Sequence, residues 1–212
     1  DEMRDRLAAS VGQAGRGVFV GTFHQFCLNG LRQGAPELSA VGPEDRERLM
    51  RRLYPGMGAT ERNRLAEAAA DSFRLPADMP PPALQPYLDE LRRLKAIDLD
   101  AVIPEFVRRL ASDAGLRRQV LGSLEYLFVD EFQDLNESQF ALVDILAETA
   151  RVFAIGDPDQ AIYGFRGSHP AFFFRFAGRP GVEQISLTRN YRCPAVVIEA
   201  ATALLVSDAR PG

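Results

Sequence analysis

Apolar positions along the chain follow two spacings. Four short runs rich in β-branched and aromatic residues stand out: Gly17–Gly21 (GVFVG), Tyr126–Val129 (YLFV), Val152–Ile155 (VFAI) and Gln184–Leu187 (QISL). None alternates strictly between apolar and polar, which is the pattern of parallel strands covered on both faces. Elsewhere apolar residues recur every three or four positions, the helical spacing. That spacing predicts helices over Phe23–Leu31, after the first run, and over Glu137–Ala147, where Asn136 is a candidate N-cap with Gln139 three residues on. A third helix is predicted over Ala195–Leu205, just after Pro194, since proline is tolerated at a helix start. Strand alternating with helix predicts an α/β layer structure.

The middle of the chain differs. From about Gln33 to Ser112 no strand is predicted, and helices are expected over Pro43–Leu53, Thr60–Phe73, Gln85–Leu94 and Asp100–Leu110. The break LPADMPPPALQP reads as a proline-rich linker. This stretch is a mostly helical subdomain inserted between the first two strands.

Composition narrows the class. At 212 residues the chain has room for one core plus an appended subdomain. Apolar content of 46% and charged content of 25% are those of an ordinary globular protein, and no apolar run reaches the length of a membrane span. The amino terminus, DEMRDRLAAS, is polar, without a signal-peptide pattern, and its lack of an initiator Met leads us to expect a longer parent. The formal net charge of −4 gives no sign of nucleic-acid binding. Two histidines in all argue against a histidine-based metal site, and Cys27 and Cys193 lack metal-type spacing and fit a reducing cytoplasm. Lys95 is the only lysine among the 25 basic residues; the rest are arginine, which biased codon usage explains.

Candidate chemistry sits where the strands end. YLFVDEFQD runs from an apolar strand into Asp130, Glu131 and Asp134, and such crowded carboxylates repel unless a cation sits among them. The crevice beyond the carboxyl end of a parallel sheet is where open α/β folds bind ligands. There Asp130 can hold Mg²⁺ and Glu131 can orient or deprotonate a water. The bland alternative is a solvated turn whose acids cap the next helix. FAIGDPDQAIYGFRGS repeats the arrangement. Gln160 can donate and accept beside a phosphate, and Tyr163, Phe165 and Arg166 can stack on unpaired bases, or else pack a core and form a surface ion pair. In LTRNYRCP, Tyr191 can stack on a planar base and Arg192 can neutralise a phosphate oxygen. In GTFHQF, Thr22 and His24 stand at a strand-to-helix turn suited to a phosphate backbone, with a hydrogen-bonded structural His24 as the alternative.

Together these segments resemble the superfamily one DNA helicases of the UvrD/Rep/PcrA type. GTFHQF, LFVDEFQDLNESQ, AIGDPDQAIYGFRGS and LTRNYRCP stand in that family's order, and the helical insertion lies where the family carries its 1B subdomain. EMRDRL and LKAIDLDAVI are also similar to family segments, so the resemblance covers most of the chain. It implies a parallel-sheet, RecA-like P-loop NTPase domain, with 1–34 and 113–212 as parts of domain 1A running into 2A, and 35–112 as the 1B-like insertion. It further implies a cytoplasmic bacterial enzyme that unwinds DNA 3′→5′ at the expense of ATP. By the resemblance Asp130 holds Mg²⁺, Glu131 is the catalytic carboxylate and Gln160 contacts the γ-phosphate. Tyr191 stacks on adenine, Arg192 reaches the γ-phosphate, and Thr22, His24, Tyr163, Phe165 and Arg166 line the single-stranded DNA path. Phe165 stands where many relatives carry Trp, and Ser168 where Ala is usual.

One departure matters. The phosphate loop G-x-x-x-x-G-K-[ST] cannot lie within these residues, because Lys95, the only lysine, follows Leu94. The resemblance places that loop before residue 1 and a second motor domain after Gly212. We therefore expect an exposed, idle Glu131 and background ATP turnover in the chain alone. Two other classes compete: a non-catalytic DNA-binding module from a degenerate helicase, and a metal-dependent phosphohydrolase or nuclease using Asp130, Glu131, Asp157 and Asp159.

Overall fold

The computed structural model describes residues 17–74, 80–161 and 170–208, together with 5–6, 9–10 and 12. The chain forms two compact units. The first comprises Asp1–Tyr126 and Ser138–Arg151, and the second Leu127–Glu137 and Val152–Gly212.

In the first unit α1 spans Phe23–Gly34 and is started by its own sequence. The Thr22 hydroxyl accepts from the Gln25 amide, and the Gln25 side chain accepts from the Thr22 amide, a complete capping box. The helix packs on α5 (Val102–Ser112), with Phe26 edge-on to Phe106 at 5.9 Å, and Cys27, Leu31, Ile103 and Phe106 are all buried. Gly30 makes the close approach possible, since a Cβ there would stand 2.4 Å from the Phe106 ring. A second cluster joins α2 (Pro43–Leu53), α3 (Ala59–Arg74) and α4 (Gln85–Arg93) around Met50, Ala69, Leu84, Tyr87 and Leu91. The end of the proline-rich break belongs to this core. Pro82–Leu84 forms a 3₁₀ turn, Leu84 is fully buried, and the Tyr54 hydroxyl donates to the Ala83 carbonyl at 2.7 Å.

Two strands occur where none was expected. β1 (Ser39–Val41) and β2 (Ala96–Asp98) pair in parallel, with Ser39 opposite Ala96 and Val41 opposite Asp98. At three residues each they are too short to show a period. Lys95 precedes β2 with a left-handed φ of 49°, and its ammonium pairs with Glu37 before β1. Asp98 is wholly buried. It accepts from Arg46 Nη2 at 2.7 Å, from the Tyr87 hydroxyl at 2.7 Å and from the Asp100 amide at 3.0 Å. This network ties α2, α4 and β2 together. After α5, α6 (Ala114–Gly122) starts on Asp113, whose carboxylate accepts from the Gly115 and Leu116 amides.

β3 (Tyr126–Val129) and β4 (Arg151–Ala154) pair with each other, flanking α7 (Glu137–Leu146) in sequence. The Arg151 amide donates to the Glu125 carbonyl and the Ile155 amide to the Val129 carbonyl, so pairing advances in step along both segments, as in a parallel ladder. The expectation of strands covered on both faces fails. Phe128 is 71% exposed and stacks on the exposed Phe153 at 5.8 Å, so exposure alternates along the strands. The other two expected strands also fail among the described residues. Val18–Val20 forms no strand, with Phe19 resting edge-on against Phe26, and Ile185 and Leu187 lie in an irregular, exposed segment. Apolar β-type residues make a strand only where a neighbour supplies the ladder. The chain then forms α8 (Ala171–Ala177) and α9 (Ala195–Asp208). Mixed helix and strand with small parallel sheets is the architecture observed.

Candidate nucleotide site

The two acid turns of the second unit meet at the ends of β3 and β4. β3 stops at Val129. Asp130 follows, exposed, and its Oδ1 accepts from the Glu131 amide at 3.0 Å. Glu131 then takes a left-handed conformation, φ 51° and ψ 45°, rare for a residue with a Cβ. That reversal ends the strand and starts the 3₁₀ turn Phe132–Asp134, leaving both carboxylates exposed. Alternation along a strand would have sent the two side chains to opposite faces.

The turn is fastened from below and from the side. Phe132 is fully buried against Phe173 and Phe176 of α8, with ring centroids 6.3 and 5.0 Å away. Its amide donates to the Ile155 carbonyl at 2.9 Å. Gln133 is the buried polar residue of the site, 2% exposed. Its Nε2 donates to Glu131 Oε2 at 2.7 Å, and its Oε1 accepts from the Asp157 amide at 3.0 Å. Gly156 leaves the space for this: a Cβ there would stand 2.6 Å from Gln133 Oε1.

Asp157 carries the connection onward. It caps the 3₁₀ turn Pro158–Gln160, with Oδ1 accepting from the Asp159 amide at 3.1 Å and Oδ2 accepting from Gln160 Nε2 at 2.7 Å. Glu131, Gln133, Asp157 and Gln160 therefore form one unbroken hydrogen-bonded series. Sequence reasoning singled out Glu131 and Gln160 but missed Gln133. The available signal was an amide set between Phe132 and Asp134, where a solvated turn needs no particular side chain.

The electrostatics are those of an acid cluster without an internal counter-ion. Among the described residues, no ion pair involves Asp130, Glu131 or Asp134. Burial pushes the Asp134 carboxyl up from its ordinary value, and the Glu131 charge adds to that; its Oδ1 is buried without a hydrogen-bond partner. Asp157 is occupied within its own turn, so Asp130, Glu131, Asp157 and Asp159 do not converge as ligands, and no cluster of three metal-ligating side chains occurs among the described residues.

Tyr191 is 83% exposed in an irregular loop, where the Arg189 guanidinium lies 5.0 Å over its ring. Asn190 Oδ1 accepts from the amides of Arg192 and Cys193, which shapes that loop. In the first unit Thr22 is the N-cap of α1. His24 is half-buried on the same helix, and burial holds its imidazole below the ordinary value of 6.5, with the Asp100 charge pulling the other way. Tyr163, Phe165 and Arg166 fall outside the described residues. No helix among the described residues is long and apolar enough to cross a membrane.

Comparison with known proteins gives the frame for this site. Residues 59–180 match the family model described as the UvrD/REP helicase N-terminal domain. The chain is 27% identical to an ATP-dependent DNA helicase PcrA of Leuconostoc citreum, covering 96% of this chain and 31% of that protein. It is 25% identical to the protein of the same name from Staphylococcus aureus, covering 98% of this chain and 32% of the relative. It is 28% identical to DNA helicase II of Escherichia coli, with the same coverage of 98% and 32%. The chain thus spans about a third of the length of these curated relatives.

Proposed function

The chain belongs to the UvrD/REP helicase N-terminal domain family, and from that premise we propose that it supplies the hydrolytic half of the ATP site in a DNA helicase that moves 3′→5′. The carrying observation is the placement of Glu131: an exposed carboxylate at the end of β3, oriented by Gln133 and joined through Asp157 to Gln160. The names of the relatives, ATP-dependent DNA helicases among them, support the reaction class.

In this reading Asp130 holds Mg²⁺. One exposed carboxylate beside waters and phosphate oxygens is how that ion is ordinarily bound, and among the described residues no cation pairs with the acid cluster. The ion, when bound, neutralises charge that develops on the phosphate oxygens. Glu131 orients the attacking water and accepts its proton. Gln160 reads the terminal phosphate and passes its state toward the DNA path, through the turn it shares with Asp157. Tyr191 stacks on adenine, and Arg192 meets the phosphate charge. Thr22, His24, Tyr163, Phe165 and Arg166 contact single-stranded DNA. The phosphate loop and the second motor domain come from the rest of the parent protein, which works in the bacterial cytoplasm.

The test is Glu131→Gln in the full-length protein that carries this chain. The neutral amide keeps the length of the side chain and loses the base. DNA-stimulated ATP hydrolysis is expected to fall by about 10²–10⁴-fold with ATP binding retained. Hydrolysis at the wild-type rate would sink the assignment. Metal-dependent DNA cleavage without ATP, abolished by the same substitution, would favour a nuclease instead.

A further inference from the structure

We propose that Gln133 is the positioning residue that couples the hydrolytic carboxylate Glu131 to the Gln160 turn; this rests on the reading of Glu131 given above. The amide is suited to the task because its two ends differ. Nε2 faces a carboxylate and Oε1 faces a backbone N–H, and the reverse orientation would set oxygen against oxygen and N–H against N–H. Both ends are therefore satisfied in one orientation only. The side chain is 2% exposed, so water does not compete for either bond.

The surroundings fix it further. Phe132, the residue before it, is locked between rings of α8 and bonded to the Ile155 carbonyl. Gly156 opens the space that Gln133 Oε1 occupies, directly before the Asp157 amide that donates to it. Any displacement of the Asp157–Gln160 turn must therefore pull on Gln133, and through it on Glu131 Oε2. The consequence is reciprocal. The orientation of the hydrolytic carboxylate depends on where Gln160 sits, and the Gln160 turn depends on the state of Glu131. Glu131 also holds a left-handed backbone conformation, so this bond fixes a side chain that leaves the chain in an uncommon direction.

Two substitutions separate the two ends of the amide. Gln133→Glu keeps an acceptor for the Asp157 amide, loses the donor to Glu131 and sets a second carboxylate beside it. Gln133→Met keeps the length and loses both bonds. In the full-length protein, Gln133→Glu is expected to lower kcat for ATP at least about tenfold with KM within about twofold. Hydrogen exchange at the Asp157 amide should stay slow in Gln133→Glu and become fast in Gln133→Met. Wild-type kcat in Gln133→Glu, or equal loss of Asp157 protection in both variants, would overturn the coupling. A parallel Glu131→Gln protein separates the two levels: wild-type hydrolysis there refutes the role of Glu131, while the Asp157 exchange still reports on the Gln133 bridge.

Discussion

At the scale of single residues, several side chains hold conformations or charge states that their local sequence does not favour, and each has a visible cause. His24 is one. Burial lowers its pKa below 6.5, more than the charge of Asp100 raises it. The unfolded chain therefore binds a proton more readily than the folded one. The contribution of neutral His24 to stability is fully present above pH 6.5 and is lost as pH falls through the lowered value of the folded state. Urea unfolding between about pH 7.5 and about pH 5 should show stability declining toward acid, and His24→Gln should flatten that slope. An unchanged slope in the variant would refute this account. Glu131 is a second case, and its identity was easier to read than its geometry. A strand running into paired acids marks a candidate hydrolytic carboxylate from composition alone. Its bond to Gln133 is local, but the anchoring of Gln133 on the Asp157 amide joins the turns after β3 and β4, which no local pattern encodes.

At the scale of elements, the helices were legible and the strands only partly so. Helix α2 was expected over Pro43–Leu53 and occupies those residues, the other expected helices differ by a few residues at their ends, and α6 and α8 form where none was expected. A helix satisfies its own backbone, so its period is written locally. A strand needs a neighbour. GVFVG and QISL carry strand-type residues but form no ladder among the described residues, whereas SAV and AID, which look like nothing in particular, pair in parallel. What holds SAV and AID in place is partly the Asp98 network. Asp98→Ala would leave the buried Tyr87 hydroxyl without its acceptor, while the Arg46 guanidinium would keep its pair with Asp100. We expect a loss of about 1–3 kcal/mol, read as a lower urea midpoint. A loss below about 1 kcal/mol would mean that water replaces the carboxylate there.

At the scale of the whole molecule, these 212 residues contain one lysine, and it does not follow the glycine that a phosphate loop requires. Lys95 sits in the first unit, left-handed and paired with Glu37. The 212 residues purified alone should therefore hydrolyse ATP at background rates with or without single-stranded DNA, since the charge that stabilises the transferring phosphoryl group is missing. A DNA-stimulated rate that disappears in Glu131→Gln would overturn that expectation. The same single lysine has a practical use. Its side chain is two-thirds exposed, at 67%, and stands at the entrance to β2. Apart from the terminal amine, an amine-reactive fluorophore has one side chain to modify in these 212 residues. Labelling would yield a chemically uniform reporter on the first unit, remote in sequence from Glu131, Gln133 and Gln160, without cysteine engineering.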